Sequence, residues 1–98
     1  MDLERMRRRL RLRDLETLVS VVRAGAMRKA AVSLHASQPA VSRAIQDLES
    51  ALDLPLLERG RRGVQPTPFG ETLARRSEAL LDELSSILRE LAHQADPE

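Results

Sequence analysis

The chain has 98 residues, of which 42% are apolar and 32% charged, with one Phe, no Tyr or Trp, no Cys and a formal net charge of +1. That suits one small domain, and a chain this short buries only about 60% of its unfolded surface, so its core must be efficient or be completed by a partner. Disulfides, thiol catalysis and cysteine zinc sites are excluded, stacking platforms for single-stranded nucleic acid lack their aromatics, and no apolar run reaches the roughly 20 residues of a membrane span.

The charge is unevenly spread: residues 1–63 hold 13 Lys/Arg against 8 Asp/Glu, and residues 64–98 hold 3 against 7. A basic half beside an acidic half suggests one surface for a polyanion and another for something else. Arginine outnumbers lysine 15 to 1, which fits bidentate contacts to phosphate or guanine as well as GC-rich codon use. Composition leaves both open.

Residues 1–11, MDLERMRRRLR, carry Arg5, Arg7, Arg8, Arg9 and Arg11 with little to bury. They read as a basic N-terminal arm adding phosphate contacts, or as a solvated tail or an extension of the first helix. Leu3, Met6 and Leu10 offer too little apolar area to favour a membrane surface.

From Leu12 the spacing becomes helical. Leu15, Leu18, Val19 and Val22 fall at i, i+3, i+4 and i+7, and Gly25 stands where such a helix ends. A second short helix is predicted over 27–34, with Ala30, Ala31 and Leu34 inward; its paired alanines predict a close helix crossing. His35, Ala36 and Ser37 break the chain, His35 reading as a local hydrogen-bonding residue. Ser37 is a good N-cap, and Pro39 lies in the next first turn, where its missing N–H does no harm. The third helix runs to about Leu52. Val41, Ala44, Ile45, Leu48 and Leu52 share one face, while Pro39, Ser42, Arg43 and Gln46 share the other, with Gln38 at its edge.

Residues 56–59 read as a strand, 60–63 as a turn and 64–65 as a brief return, which Pro66 ends or limits to an edge. Thr67 and Pro68 supply a capping hydroxyl and a proline at the first helical position. The fourth helix continues to about Gln94, spanning about 40 Å at 1.5 Å per residue.

Two short helices joined by a tight break, the second polar outside, make a helix-turn-helix. In this motif the second helix enters the DNA major groove. Gln38 can bond adenine bidentately, Arg43 can reach guanine or phosphate, Ser42 suits either, and Pro39 offers an apolar surface to a thymine methyl. Arg59, Arg61 and Arg62 lie where a wing would flank that helix, gripping phosphates or entering a narrow minor groove.

The stretch AAVSLHASQPAVSRAIQDLESAL, followed by LLERGRRGVQPTPFGE, resembles the N-terminal DNA-binding domain of LysR-type transcriptional regulators. The likeness covers roughly residues 12–91. Its most specific part is Ser37-Gln38-Pro39 with Ser42, then Ile45 and Leu48-Glu49, then Glu58-Arg59 and Arg62-Gly63. It implies a mainly α chain: a winged helix-turn-helix of three helices and a two-stranded wing (12–66), then a long linker helix (67–95) paired as a homodimer. By this likeness Ser37, Gln38, Pro39, Ser42, Arg43 and Gln46 face the groove, and Arg59, Arg61 and Arg62 carry wing contacts. The partners implied are double-stranded DNA with a palindromic operator and a second copy of the chain. Four departures stand out. Leu18, Met27 and Leu57 replace usual aromatics, and Asp53 replaces the common Gly at the end of the recognition helix. Phe69, beside Pro68, is expected to tuck under the wing. The effector-binding domain of full-length members is missing, and with it any small-molecule effector site.

Leu73, Ser77, Leu80, Leu84, Ile87 and Leu91 alternate steps of four and three, a coiled-coil seam widened by Leu81 and Leu88. The stripe predicts a two-fold dimer, the alternative being that it packs on its own 15–22 helix. Glu78, Asp82, Glu83 and Glu90 suit a helix held away from phosphates. A helical protein-interaction module is the competing class, and an enzyme a distant third. The acidic pairs Asp47/Glu49 and Glu78/Asp82 look like solvated faces. Nor do His35 and His93 sit where they could build a metal site or a triad with a serine. No cofactor, metal or membrane contact is expected, and with no signal peptide visible the chain reads as cytoplasmic.

Overall fold

Leu18, Val21, Ala30, Val41, Ile45, Leu48 and Leu56 are buried together at the centre of the chain, and the elements are arranged to bring them there. The computed structural model describes residues 1–96. In order it contains α1 (Leu3–Arg9), α2 (Leu12–Ala24), α3 (Met27–Leu34), α4 (Gln38–Leu52), the strands β1 (Leu57–Gly60) and β2 (Gly63–Pro66), and α5 (Pro68–Ala95). Helices α2, α3 and α4 pack around one core, α5 lies along α2, and the hairpin flanks them.

The helix-turn-helix follows from local chemistry. Gly25 ends α2 in the left-handed conformation (φ 73°), donating its N–H to the Val21 carbonyl. Ala30 is fully buried and Ala31 nearly so, giving the close approach that paired alanines permit. His35 ends α3, also left-handed (φ 54°), so its part is played by its backbone as a cap. Ser37 opens α4, its Oγ accepting from the Ala40 N–H at 3.1 Å, and Pro39 sits in the first turn. Asp53 adopts the left-handed cap conformation (φ 55°) that glycine would take there, and the Leu54 N–H bonds back to the Glu49 carbonyl at 3.3 Å. The corner keeps its shape without glycine.

The hairpin is antiparallel, Leu57 opposite Pro66 and Gly60 opposite Gly63, so Pro66 joins the edge pairing rather than ending it. Arg61 and Arg62 make its two-residue tip. Gly63 (φ 97°) must be glycine, because a Cβ there would lie 2.6 Å from the Gly25 carbonyl oxygen. That oxygen accepts the Val64 N–H at 3.1 Å, pinning the wing to the α2–α3 corner.

Three observations depart from the reading of the sequence. Residues 3–9 form a separate helix rather than a solvated tail or an extension of α2, because Asp2 caps it through the Arg5 N–H and Leu10 and Arg11 are extended. The helices before the wing therefore number four. Phe69 is exposed (49%) instead of lying under the wing. The inward position of that turn belongs to Gly70, where a Cβ would stand 2.0 Å from the Leu56 carbonyl oxygen and leave no room for a ring. Glu49 and Glu78 are half-exposed but each is engaged rather than freely solvated: Glu49 ties α4 to the start of the wing, and Glu78 pairs with Arg23 across α2 and α5.

Candidate nucleic-acid interface

The outer face of α4 holds Gln38, Pro39, Arg43 and Gln46, all exposed, while Val41, Ile45 and Leu48 on the opposite side are buried. Ser42 is half-buried because the wing reaches it: the Arg59 Nη2 donates to the Ser42 Oγ at 3.3 Å. This contact places the wing and the helix on one continuous surface. Arg61 and Arg62 are exposed at the hairpin tip, and of the three wing arginines Arg59 makes the hydrogen bond to α4. Ser37 is also exposed, although its hydroxyl oxygen is engaged as the N-cap.

The first turn of α4 contains no acidic residue. The positive end of the helix dipole is therefore free to favour an anion. The first turn of α3 is likewise free of carboxylates, with Arg28 and Lys29 exposed in it.

The wing's position depends on residues whose importance the sequence reading missed. The Glu49 carboxylate accepts the Leu56 N–H at 2.8 Å and the Leu57 N–H at 3.4 Å. The Thr67 hydroxyl donates to the Pro55 carbonyl at 2.6 Å and accepts from the Gly70 N–H at 3.1 Å, while its own N–H donates to the Leu56 carbonyl. Thr67 thus caps α5 and closes the base of the hairpin at once. Capping alone was legible; the second duty needs the fold.

Beside α4 runs a groove bordered by Arg11, Arg13, Asp14, Asp47 and Arg43. Asp14 is buried at the start of α2. Burial pushes its carboxyl above the usual carboxylate range and the Asp47 charge adds to this, with Arg11 and Arg13 pulling the other way. Among the described residues no cluster of His, Cys, Asp or Glu could hold a metal ion.

The seam of α5 divides. Leu73 packs against the core and Ser77 is buried, so the first half of the stripe is covered by its own domain. Leu80, Ile87, Leu88 and Leu91 are about half exposed, with Leu84 partly so. The self-packed alternative therefore covers only the first half of the stripe.

Residues 12–71 match the sequence profile of the bacterial regulatory helix-turn-helix proteins of the lysR family. The chain belongs to that family. The LysR-type domain is 37% identical over 87 residues to the HTH-type transcriptional regulator PcaQ of Agrobacterium fabrum, an alignment covering 89% of this chain and 28% of PcaQ. It is 48% identical over 73 residues to the regulator AbaB of Streptomyces antibioticus, covering 74% of this chain and 24% of AbaB. The chain thus spans about a quarter of the length of these relatives. Among solved structures, a BenM DBD/catB site 1 DNA complex superposes with a TM-score of 0.86 at 37% identity, covering 89% of this chain and 98% of that one. CbnR, a LysR family transcriptional regulator, gives a TM-score of 0.83 at 32% identity over 86% of this chain and 29% of its own. The profile starts at Leu12, so helix α1 lies outside what it matches.

Proposed function

We propose that this LysR-type domain binds double-stranded DNA in a sequence-specific manner as a homodimer, and that it is the operator-reading part of a cytoplasmic transcriptional regulator. The observation that carries the reading is the Arg59–Ser42 contact, which joins a basic wing to the exposed polar face of a capped, carboxylate-free helix terminus. Helix α4 enters the major groove with Gln38, Pro39, Ser42, Arg43 and Gln46 toward base edges and Ser37 at the groove's rim. Arg59, Arg61 and Arg62 take phosphates or the adjacent minor groove. The domain boundaries follow: 12–66 for the winged unit and 67–95 for the linker helix. No helix among the described residues is long and apolar enough to cross a membrane. Membership in a family of regulatory helix-turn-helix proteins, rather than any catalytic site, defines the activity.

The test is fluorescence anisotropy against a random duplex pool at several salt concentrations, followed by sequencing of the bound fraction. Enrichment of a two-fold symmetric site with a steep salt slope is the expected result. Gln38→Ala or Arg43→Ala should then cost about 1–3 kcal/mol on the enriched site and relax its specificity. Arg61→Ala should weaken binding to all sequences alike and flatten the salt dependence. Equal losses on enriched and scrambled duplexes in both classes would refute this division of labour.

A further inference from the structure

Helix α1 contributes no buried residue, and only Leu10, just beyond it, packs against the core. Burial therefore gives it little reason to be ordered where it is. Its charge and position give a better one. Residues 1–11 carry five arginines against Asp2 and Glu4, and Arg9 fastens the helix to the far end of α4. The Arg9 Nη2 donates to the Ser50 Oγ at 3.3 Å and its Nη1 to the Ser50 carbonyl at 3.5 Å. A cation at a helix C-terminus is also favoured by the dipole.

Ser50 lies on the same strip of α4 as Ser42 and Gln46, at successive steps of four. The wing's Arg59 bonds the strip at Ser42, and Arg9 of the extension bonds it at Ser50. Eight residues of helix separate these anchors, about 12 Å at 1.5 Å per residue. That distance is about the width of the DNA major groove. Arg8, Arg9 and Arg11 border a shallow groove with Asp14 and Asp47, which continues past Arg13 and Glu16 to Arg43. Along it five arginines face three carboxylates, with Glu4 pairing Arg8 at 3.6 Å from α1 itself. Burial and the neighbouring Asp47 raise the proton affinity of one of the three, Asp14.

We propose that α1 is a second phosphate grip beside the C-terminal end of α4, with Arg8, Arg9 and Arg11 neutralising backbone phosphates that flank the bases α4 reads. This rests on the DNA-binding reading above and assigns a contact to residues outside the family profile. The grip carries no base readout; it sets affinity and salt dependence.

The experiment uses the 98-residue chain and a labelled 30-base-pair duplex of random sequence, with anisotropy titrations between about 50 and 200 mM salt. R8Q/R9Q/R11Q should lower the magnitude of the log K against log salt slope by about 2–3 per chain, since each neutralised phosphate contributes about 0.9. R8K/R9K/R11K should restore most of it, which a purely structural role for Arg9 would not allow. R75Q/R76Q/R89Q removes the same charge from α5 and should leave the slope unchanged; equal flattening by this variant would reduce the effect to net charge and overturn the proposal. A slope unaffected by R8Q/R9Q/R11Q, while Arg61→Ala flattens it, would overturn the second grip and leave the DNA reading intact. Absence of any binding by the parent chain at low salt would sink the DNA reading itself.

Discussion

Asp53 holds a backbone conformation in which an L-residue's Cβ crowds the neighbouring carbonyl. Asp tolerates it better than most residues, and Gly tolerates it freely. Asp53→Gly sets relief of a roughly 1–2 kcal/mol penalty against the roughly 0.4–1 kcal/mol of chain entropy that glycine adds to the unfolded state. The expected outcome is a gain of up to about 1 kcal/mol, read as a thermal midpoint a few degrees higher; a lower midpoint would mean that the Asp53 side chain contributes something the backbone does not reveal. Asp14 gives a pH-dependent case. Its folded-state pKa is raised, by burial first and by Asp47 second, so the folded chain holds that proton more tightly than the unfolded one. The resulting stability is complete below the ordinary carboxylate pKa and is lost as pH rises through the raised value. Asp14→Asn should therefore exceed the parent in stability at neutral pH, with the advantage closing on acidification. Urea melts at neutral pH and in the acid range check this, and an advantage that grows toward acid would reverse the assignment. Such residues were hard to read in advance. Asp14 and Glu49 look like any surface carboxylate in sequence, and what separates them is the tertiary neighbour: Asp47 for one, the Leu56 and Leu57 N–H groups for the other.

Most of the elements were legible because each carries its own punctuation. Gly25, Ser37, Pro39, Thr67 and Pro68 mark boundaries by their local chemistry, and the apolar spacing from Leu15 to Leu52 picks the buried faces. Helix α1 was not legible as a separate element, since a short polar segment has no apolar stripe to announce it and depends on the Asp2 cap and the Arg9–Ser50 dock. Phe69 misled for a related reason: its hydrophobicity suggested burial, but the inward position beside Leu56 admits only Gly70. The wing is the element held by the most dispersed set of contacts. With only two strands, it depends on Glu49, Thr67 and the Gly25 carbonyl for its placement. Glu49→Ala would strand the Leu56 N–H in a partly buried site, costing about 1–3 kcal/mol. Because that cost falls on the wing, DNA affinity should drop with it while the far-UV helical signal of the folded protein stays. Glu49→Gln keeps an acceptor in place and should lose less of both. Equal losses in the two variants would show that the charge of Glu49, rather than its acceptor geometry, positions the wing.

The molecule measures 52 × 34 × 21 Å with a radius of gyration of 15.0 Å, against about 13 Å for a compact chain of 100 residues. The excess comes from α5, whose 28 residues span about 42 Å and run past the domain that supports them. Its first half is held at Ala74 and Ser77, both buried, and by the Arg23–Glu78 ion pair to α2. Beyond that the apolar positions Leu80, Leu84, Ile87, Leu88 and Leu91 keep the coiled-coil spacing, and all but the partly covered Leu84 are about half exposed. A helix with half its seam covered and half bare has a natural partner in a second copy, which would bury the bare half by two-fold symmetry. The acidic residues concentrated on this helix suit one held away from phosphates, and pairing through α5 would leave both α4 faces free. A dimer would present them to successive major grooves about 34–36 Å apart. Leu84→Arg puts a charge in the middle of the bare seam and should yield particles of 11.0 kDa in light scattering, where the parent should give twice that mass. Ser86→Arg adds the same charge outside the seam and should leave the dimer intact. The two variants should also part on DNA. Monomeric Leu84→Arg should bind a single half-site as the parent domain does and lose its advantage on a full palindrome, because that advantage comes from linking two reading heads rather than from any contact α5 makes. If Leu84→Arg kept the doubled mass, the dimer would have to form elsewhere, and exposed Phe69 at the opposite end of α5 would be the next position to substitute.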